Sequence, residues 1–368
     1  TAGTLRQLWV DEQEATWASG DPSQGVIISP GSVRGSAVRF VWVRADGAGV
    51  EIHAQPFHTL QGVAADSLGG LWWIEKPQAG LDQWQLWHFD PAQGRIALRL
   101  RASGRFFATG SDLVAAPLSP SLLAITPQTD PATGALTGAT LLVDTANTDA
   151  QALYMGVFRL SFTVDEQGEG TAAGMPQLLL TPESYRGPLQ VSPDGTKLAY
   201  FVYDPEHPSL TSGFIRPANT VRVLTLAGRG ASTIRTVYAS ENRFEFLAPN
   251  LAWQGNDRLY LARSRFAPGD TFDVDRFGVV RVQLPSPDQP AGEVAVASYL
   301  LPNQTQLRDF AVCQDGSYSL MISGAATGML ELARWNGGDR PQALVALPET
   351  MSRGFLCWSA PDALLDLQ

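Results

Sequence analysis

Helical periodicity is nearly missing from this 368-residue chain. No twelve-residue segment places apolar residues at i, i+3, i+4 and i+7 behind a capping residue, which leaves an all-β reading. The Ala/Glu/Lys/Leu/Arg heptads of a coiled coil are absent too. Charged residues make up 17% of the chain and hydrophobic ones 44%, against an ordinary charged share of about 25%, so a disordered chain is excluded. No window approaches the ~20 apolar residues of a spanning helix, which excludes a multi-pass membrane protein and leaves no transmembrane segment in this chain. Two cysteines, Cys313 and Cys357, are too few for a disulfide framework. They fall at similar places in consecutive repeats, where two small core residues are the plainer reading and a single bridge the other.

Lysine is almost absent: of 26 basic residues only Lys76 and Lys197 are lysines, and the net charge is −10. With no Lys/Arg run, nucleic-acid binding is excluded, and an anionic membrane surface would repel the chain. The first residues are Thr1-Ala2-Gly3 with no initiator Met. This gives the expectation of an exported protein, periplasmic or cell-surface, from which a signal or anchor was removed.

What is present is turn chemistry. Glycine (35) and proline (25) together exceed the ordinary share of roughly 12%. Short β-rich runs recur between them, at 37–43, 71–74, 84–89, 95–100, 140–143, 154–162, 177–180, 221–226 and 278–284. Many short strands mean a sandwich, a barrel or a propeller. No linker separates sandwich-sized pieces, so an internal repeat accounts better for the length.

The repeat is clearest at 189–203, where Leu189 and Val191 alternate with polar residues, Pro193-Asp194-Gly195 turns the chain, and Leu198, Tyr200 and Val202 resume the alternation. Pro presets φ, Asp bonds locally and Gly accepts positive φ. Degenerate copies keep the same plan at 26–43, 62–74, 113–125, 251–262, 307–322 and 355–365. Two further strands follow most copies, as in 84–89 and 95–100. Four antiparallel strands per unit, arranged radially, make a β-propeller. The spacing predicts seven blades, at 17–58, 59–105, 106–185, 186–245, 246–305, 306–352, and 353–368 with 1–16, with six as the alternative count. The strand at 5–10 and the C-terminal hairpin would share the last blade and close the ring, hiding two sheet edges.

The run Val191-Ser192-Pro193-Asp194-Gly195-Thr196-Lys197-Leu198-Ala199-Tyr200-Phe201 resembles the WD40-like repeat of TolB-type propellers, found also in prolyl-oligopeptidase-type enzymes. One copy matches well and the others keep only the turn and its flanking hydrophobes. The resemblance implies an exported bacterial propeller that serves as a protein-binding platform. The oligopeptidase version would need a hydrolase domain for which this chain has no room.

Catalytic signatures are lacking. There is no Gly-x-Ser-x-Gly elbow, no P-loop and no Gly-x-Gly-x-x-Gly. His53, His58, His88 and His207 form no short-range pair, so a metal site would have to assemble across blades, and structural histidines are the plainer reading. No cofactor is expected. The one calcium candidate is the alternating set Asp270, Asp273 and Asp275, whose carboxylates suit a hard cation but equally a solvated loop. Asp165, Glu166 and Glu169 mimic an EF-hand loop only superficially and read as a long hairpin tip. Trp72, Trp73, Trp84 and Trp87 lie in expected strands, where aromatics fill the space between blades.

Loop length gives the stronger signal. The connections between second and third strands open on one face of a propeller. Three consecutive ones are long, at 127–152, 204–218 and 264–277. Long loops in compact domains are commonly functional. These carry Phe214, Arg216, Arg265, Phe266, Arg276 and Phe277, residue types enriched at interface hot spots. The expectation is a protein partner docked on that face, in a larger cell-envelope or extracellular assembly. A propeller hydrolase or lactonase, and a glycan-binding module, are the alternatives.

Overall fold

In the computed structural model of the chain the described residues are 15–21, 25–30, 37–43, 49–65, 71–77, 83–90, 95–103, 120–145, 156–174, 176–211, 216–226, 233–267, 274–285, 292–300, 305–312, 318–324, 329–335 and 342–348. Helix among them is limited to one 3-10 turn, Pro182–Ser184.

The strands form six sheets. The first holds β1 (Ala15–Asp21), β2 (Gly25–Pro30), β3 (Ala37–Val43) and β4 (Gly49–Pro56). The second holds β5 (His58–Ala65), β6 (Leu71–Pro77), β7 (Gln83–Asp90) and β8 (Arg95–Ser103). The third holds β9 (Ser121–Thr129), β10 (Leu136–Asp144) and β11 (Val157–Val164), with both β12 (Gly170–Ala172) and β13 (Gln177–Leu180) paired to β11. The fourth is β14 (Leu189–Val191), β15 (Lys197–Val202), β16 (Thr220–Thr225) and β17 (Ile234–Ala239). The fifth is β18 (Glu245–Gln254), β19 (Arg258–Phe266), β20 (Val274–Gln283) and β21 (Gly292–Leu300). The sixth is β22 (Thr305–Val312), β23 (Tyr318–Gly324), β24 (Met329–Trp335) and β25 (Gln342–Pro348).

Two compact units are present. One comprises Thr1–Ile28, Val43–Ala48 and Tyr185–Gln368, the other Ser29–Trp42 and Gly49–Ser184. Inside each, successive sheets adjoin through their first strands: β5 beside β9 in the second unit, and β14 beside β18 beside β22 in the first. Up-and-down four-stranded sheets in this relation are the blade arrangement of a β-propeller. Six sheets stand among the described residues where seven blades were expected. The shared closing blade, with its strand at 5–10 and hairpin at 353–368, lies outside the described residues apart from the first two residues of β1.

The repeat turn folds for local reasons. Ser192 Oγ donates to Asp194 Oδ1 at 2.6 Å, and the Thr196 and Lys197 amides bond Asp194 Oδ1 and Ser192 Oγ at 3.0 Å. Gly195 takes φ +69°. The following strand β15 is buried on both faces from Leu198 to Val202. Its odd-numbered residues Ala199 and Phe201 join Val221, Val223, Leu259, Leu261 and Val280 in one core. In the other unit Trp72, Ile74, Trp84 and Leu86 pack with Leu122, Leu141, Val143 and Phe162. Tryptophans thus serve as packing between sheets, each burying some 150–250 Å².

The structure shortens two expected loops. Residues 127–152 are not one connection. β9 and β10 form a hairpin through them, turned by Asp130, whose Oδ1 accepts the amides of Ala132 and Thr133 at 2.7 and 3.2 Å. The strands β19 and β20 also run further than their hydrophobic alternation suggested, to Phe266 and from Val274. The tip at 165–169 is a tight turn rather than a long one, because Asp165 Oδ1 accepts the amides of Gln167 and Glu169 at 2.9 and 2.8 Å.

Candidate functional site

The connection between β15 and β16 is fastened at its base by the fully buried Asn219. Its Oδ1 accepts the Asp204 amide at 2.8 Å, and its Nδ2 donates to the carbonyls of Asp204 and His207 at 2.9 and 3.2 Å. Arg222 donates to Asp204 Oδ2 at 2.9 Å. The Glu206 amide on the Asp204 carboxylate, against the opposing effect of desolvation and helped by Arg222, holds that carboxyl below its ordinary value. The loop therefore leaves and rejoins the sheet through a fully bonded polar base.

Just beyond this base lies a groove of about 560 Å³, formed within the Tyr185–Gln368 part of the first unit. Arg186 to Pro188 and Phe201 form one wall, and Arg216 to Ala218 another. Phe246, Leu247, Ala248, Ser264, Phe266, Val274 and Leu307 complete the lining. Phe266 stacks on Phe246 with ring centroids 4.3 Å apart. Main-chain bonds set the walls: Leu247 N to Ala218 O at 2.8 Å, Phe266 N to Phe244 O at 2.8 Å and Arg186 N to Phe201 O at 2.7 Å. Gly187 follows at φ +77°, a conformation that suits glycine. No acidic side chain lines the groove among the described residues.

Its charge is positive. Arg216 is exposed, with its Cζ 5.8 Å from the Tyr203 ring centroid, and it has no carboxylate partner among the described residues. Arg186 also lines the groove, and donates to the Tyr185 carbonyl at 3.0 Å. Arg265 of β19 stands directly opposite Arg276 of β20, on the strand face opposite to the groove residues Ser264 and Phe266. Arg265 Nε is buried with no hydrogen-bond partner. Glu245 is opposite Arg265 on β18 but is held by Arg263 at 3.3 Å.

Of the residues singled out in the sequence, Arg216 and Phe266 line the groove, whereas Arg265 and Arg276 do not: they oppose each other across β19 and β20 on the strand face opposite to Ser264 and Phe266. Phe277 does not belong to a contact face. It is 1% exposed and packs edge-on against Trp335, centroids 5.5 Å apart, because it points to the face of β20 that meets the sixth sheet. Phe214, Asp270, Asp273, Cys313 and Cys357 lie outside the described residues, and of Asp275 only the strand position in β20 is described. Among the described residues no group of three His, Cys, Asp or Glu is placed to hold a metal ion.

A second polar cluster has no counterpart in the sequence reading. Glu75 of β6 is fully buried. Its Oε1 accepts the Trp73 Nε1 proton at 2.6 Å and bonds His53 Nε2, and its Oε2 bonds His58 Nδ1 at 2.9 Å. The His53 ring lies among Phe40, Trp73 and Trp87, with centroids at 6.1, 5.2 and 4.7 Å. The tryptophans Trp72, Trp73 and Trp84 are core residues, 4%, 0% and 1% exposed.

No protein-family model matches the chain, and no curated protein matches it in sequence. Solved structures with similar backbones include a puromycin hydrolase mutant (14% identity, TM-score 0.49, covering 93% of this chain and 50% of that one). Another is an oligogalacturonate lyase from Vibrio parahaemolyticus (11%, TM-score 0.48, covering 93% and 78%). A third is a prolyl endopeptidase (14%, TM-score 0.46, covering 89% and 42%). This chain spans half the length of the hydrolase and less than half of the endopeptidase. At these identities and TM-scores the likenesses carry nothing about chemistry. No helix among the described residues is long and apolar enough to cross a membrane.

Proposed function

We propose that this chain is a non-enzymatic, exported β-propeller that docks another protein as a subunit of a larger cell-envelope or extracellular assembly. The observation that carries the reading is the groove floored by Phe246 and Phe266, with the exposed Arg216 at its edge and no carboxylate on it among the described residues. Aromatic and arginine side chains around a preformed concavity are what interface hot spots use. The fixed loop base at Asn219 means that little ordering is needed on binding.

The experiment is size fractionation of mild extracts of the source cells, with identification of co-migrating chains and comparison of the parent with Arg216→Ala. Under the docking reading the parent migrates in a large assembly and the variant is released from it while staying folded. Migration of the parent alone, near its own 39.6 kDa, would remove the reading.

One observation favours the alternative of a hydrolase. His58 Nδ1 bonds the buried Glu75 carboxyl at 2.9 Å, the kind of histidine–carboxylate pairing that orients a general base. Among the described residues no hydroxyl or thiol bonds His58 as a nucleophile would. Turnover of esters or glycosides by the parent that disappears in His58→Asn would replace docking with catalysis.

A further inference from the structure

We infer that the groove receives the C-terminal end of a partner polypeptide, with its terminal carboxylate on Arg216 and its last apolar side chains on the Phe246–Phe266 floor; this rests on the docking reading and names its partner chemistry.

Four features of the site lead to this ligand. The first is size. A volume of about 560 Å³ is that of a small-molecule site, roughly 300–1,000 Å³, so what enters is a few residues rather than the face of a folded domain. The second is lining. Leu247, Val274 and Leu307 stand with the stacked Phe246 and Phe266 rings, and no acid is present among the described residues, so the side chains that fill the groove are apolar. The third is charge. Of the two arginines in the lining, Arg186 already donates to the Tyr185 carbonyl at 3.0 Å. Arg216 is exposed and has no carboxylate on it among the described residues. Its Cζ stands 5.8 Å from the Tyr203 ring centroid, just before the Asn219 that fastens the loop. In a chain of net charge −10, this cation beside an apolar floor calls for one anionic group on an apolar ligand. The fourth is the main chain. The amides of Arg186, Leu247 and Phe266 are already bonded to the carbonyls of Phe201, Ala218 and Phe244, and Ser264 Oγ to that of Ala248 at 3.3 Å. Those wall donors are therefore spent, and a segment running right through would bury amides and carbonyls that they cannot serve. A chain that ends in the groove buries fewer of them. It also carries its carboxylate on the main chain, which leaves its last side chains free to be apolar.

The test is fluorescence polarisation on the full chain with N-terminally labelled octapeptides, each a Gly/Ser run followed by Phe-Leu-Phe. One has a free C-terminus, a second is amidated, and a third is amidated with an Asp placed before the apolar run. Decanoate, titrated by calorimetry, offers the same chemistry as a free acid. The expected result is binding of the first peptide about tenfold more tightly than the other two, weakening as salt rises. R216Q, which alters an exposed side chain, should bind the first peptide about tenfold more weakly. In that variant amidation should make no further difference, because carboxylate and guanidinium form one interaction. Equal binding of the amidated or the Asp peptide, an effect of amidation that persists in full in R216Q, or no binding of the first peptide would each overturn the inference. Decanoate bound where the first peptide is not would assign the groove to a free acid and overturn it as well. If Arg216→Ala is nevertheless released from its assembly in extracts, such a result changes the partner chemistry and leaves docking standing. A parent that migrates alone removes docking itself.

Discussion

His58 and Glu75 meet at 2.9 Å, imidazole Nδ1 to carboxylate Oε2, directly after a corner made of one residue. β4 ends at Pro56 and β5 begins at His58, so Phe57 alone turns the chain from one sheet into the next. It does so at φ +60° with its ring 67% exposed. The strands on both sides of the corner each send a histidine, His53 and His58, to the same buried carboxylate. The corner is closed by polar chemistry rather than by apolar burial.

Removing that carboxylate should be among the most damaging single changes in the chain. Glu75→Ala leaves His53, His58 and the Trp73 indole N–H without their shared partner. Breaking a buried polar or ionic cluster on one side costs about 3–5 kcal/mol. His58→Asn, at a half-buried position, should cost about 1 kcal/mol. Urea unfolding of both variants checks this, and a Glu75→Ala chain as stable as the parent would mean that the cluster contributes nothing.

Phe57 should respond in the opposite sense. A residue with a Cβ in the left-handed region is strained by roughly 1–2 kcal/mol, and this ring is mostly in water, so little burial offsets the strain. Phe57→Gly is expected to leave stability unchanged or raise it by up to about 1 kcal/mol. Destabilisation in the same urea measurement would show that the exposed ring has packing or binding to lose.

Local chemistry was legible in the sequence and long-range chemistry was not. The turn at Pro193-Asp194-Gly195 could be read because its bonds join Ser192, Asp194 and Thr196, all within a few residues. The burial of Trp72 and Trp73 followed from their place in an apolar run. Glu75 carries a signal of its own in the sequence. It directly follows Leu71-Trp72-Trp73-Ile74, and a carboxylate in a strand so apolar needs partners. Nothing local says which, because His53 and His58 are 22 and 17 residues away. The loop limits were misplaced for a different reason. Arg263, Ser264 and Arg265 are three polar residues in a row and Asp275 and Arg276 two more, which interrupts the polar–apolar alternation of a half-buried strand, yet cross-strand pairing carries the ladder through them. Phe277 therefore belongs to a strand and to the core rather than to a loop surface.

Close approach of two first strands makes Gly62 irreplaceable. It sits in the bulge between Leu60 and Val63 at φ +113°. A Cβ there would lie 2.5 Å from the backbone nitrogen of Leu122 in β9. Backbone cannot yield as a side chain end can, and the conformation itself disfavours alanine. Gly62→Ala should cost more than about 2 kcal/mol. An Ala variant with parental stability would show that β5 and β9 are not in contact at this point.

Two phenols should report the cores of the first unit in alkali. Burial pushes Tyr200 up to about 12 against the favourable charge of Arg222. Burial, with a neighbouring Tyr260, pushes Tyr318 up to about 12 against Arg281. Both have an ordinary value of 10.0, which they regain on unfolding. The folded value being the higher one, the unfolded chain releases these protons first as pH rises. The stability they contribute is complete below about 10 and is lost between about 10 and 12. Phenolate absorbance of the folded chain should therefore show a late ionisation step near 12 from Tyr200 and Tyr318. Tyr200→Phe and Tyr318→Phe should each remove one late step and make the alkaline loss of stability shallower. If all the phenols of the folded chain ionise together near 10, these side chains are in contact with water, and the cores that β15 and β23 are built into do not close over them.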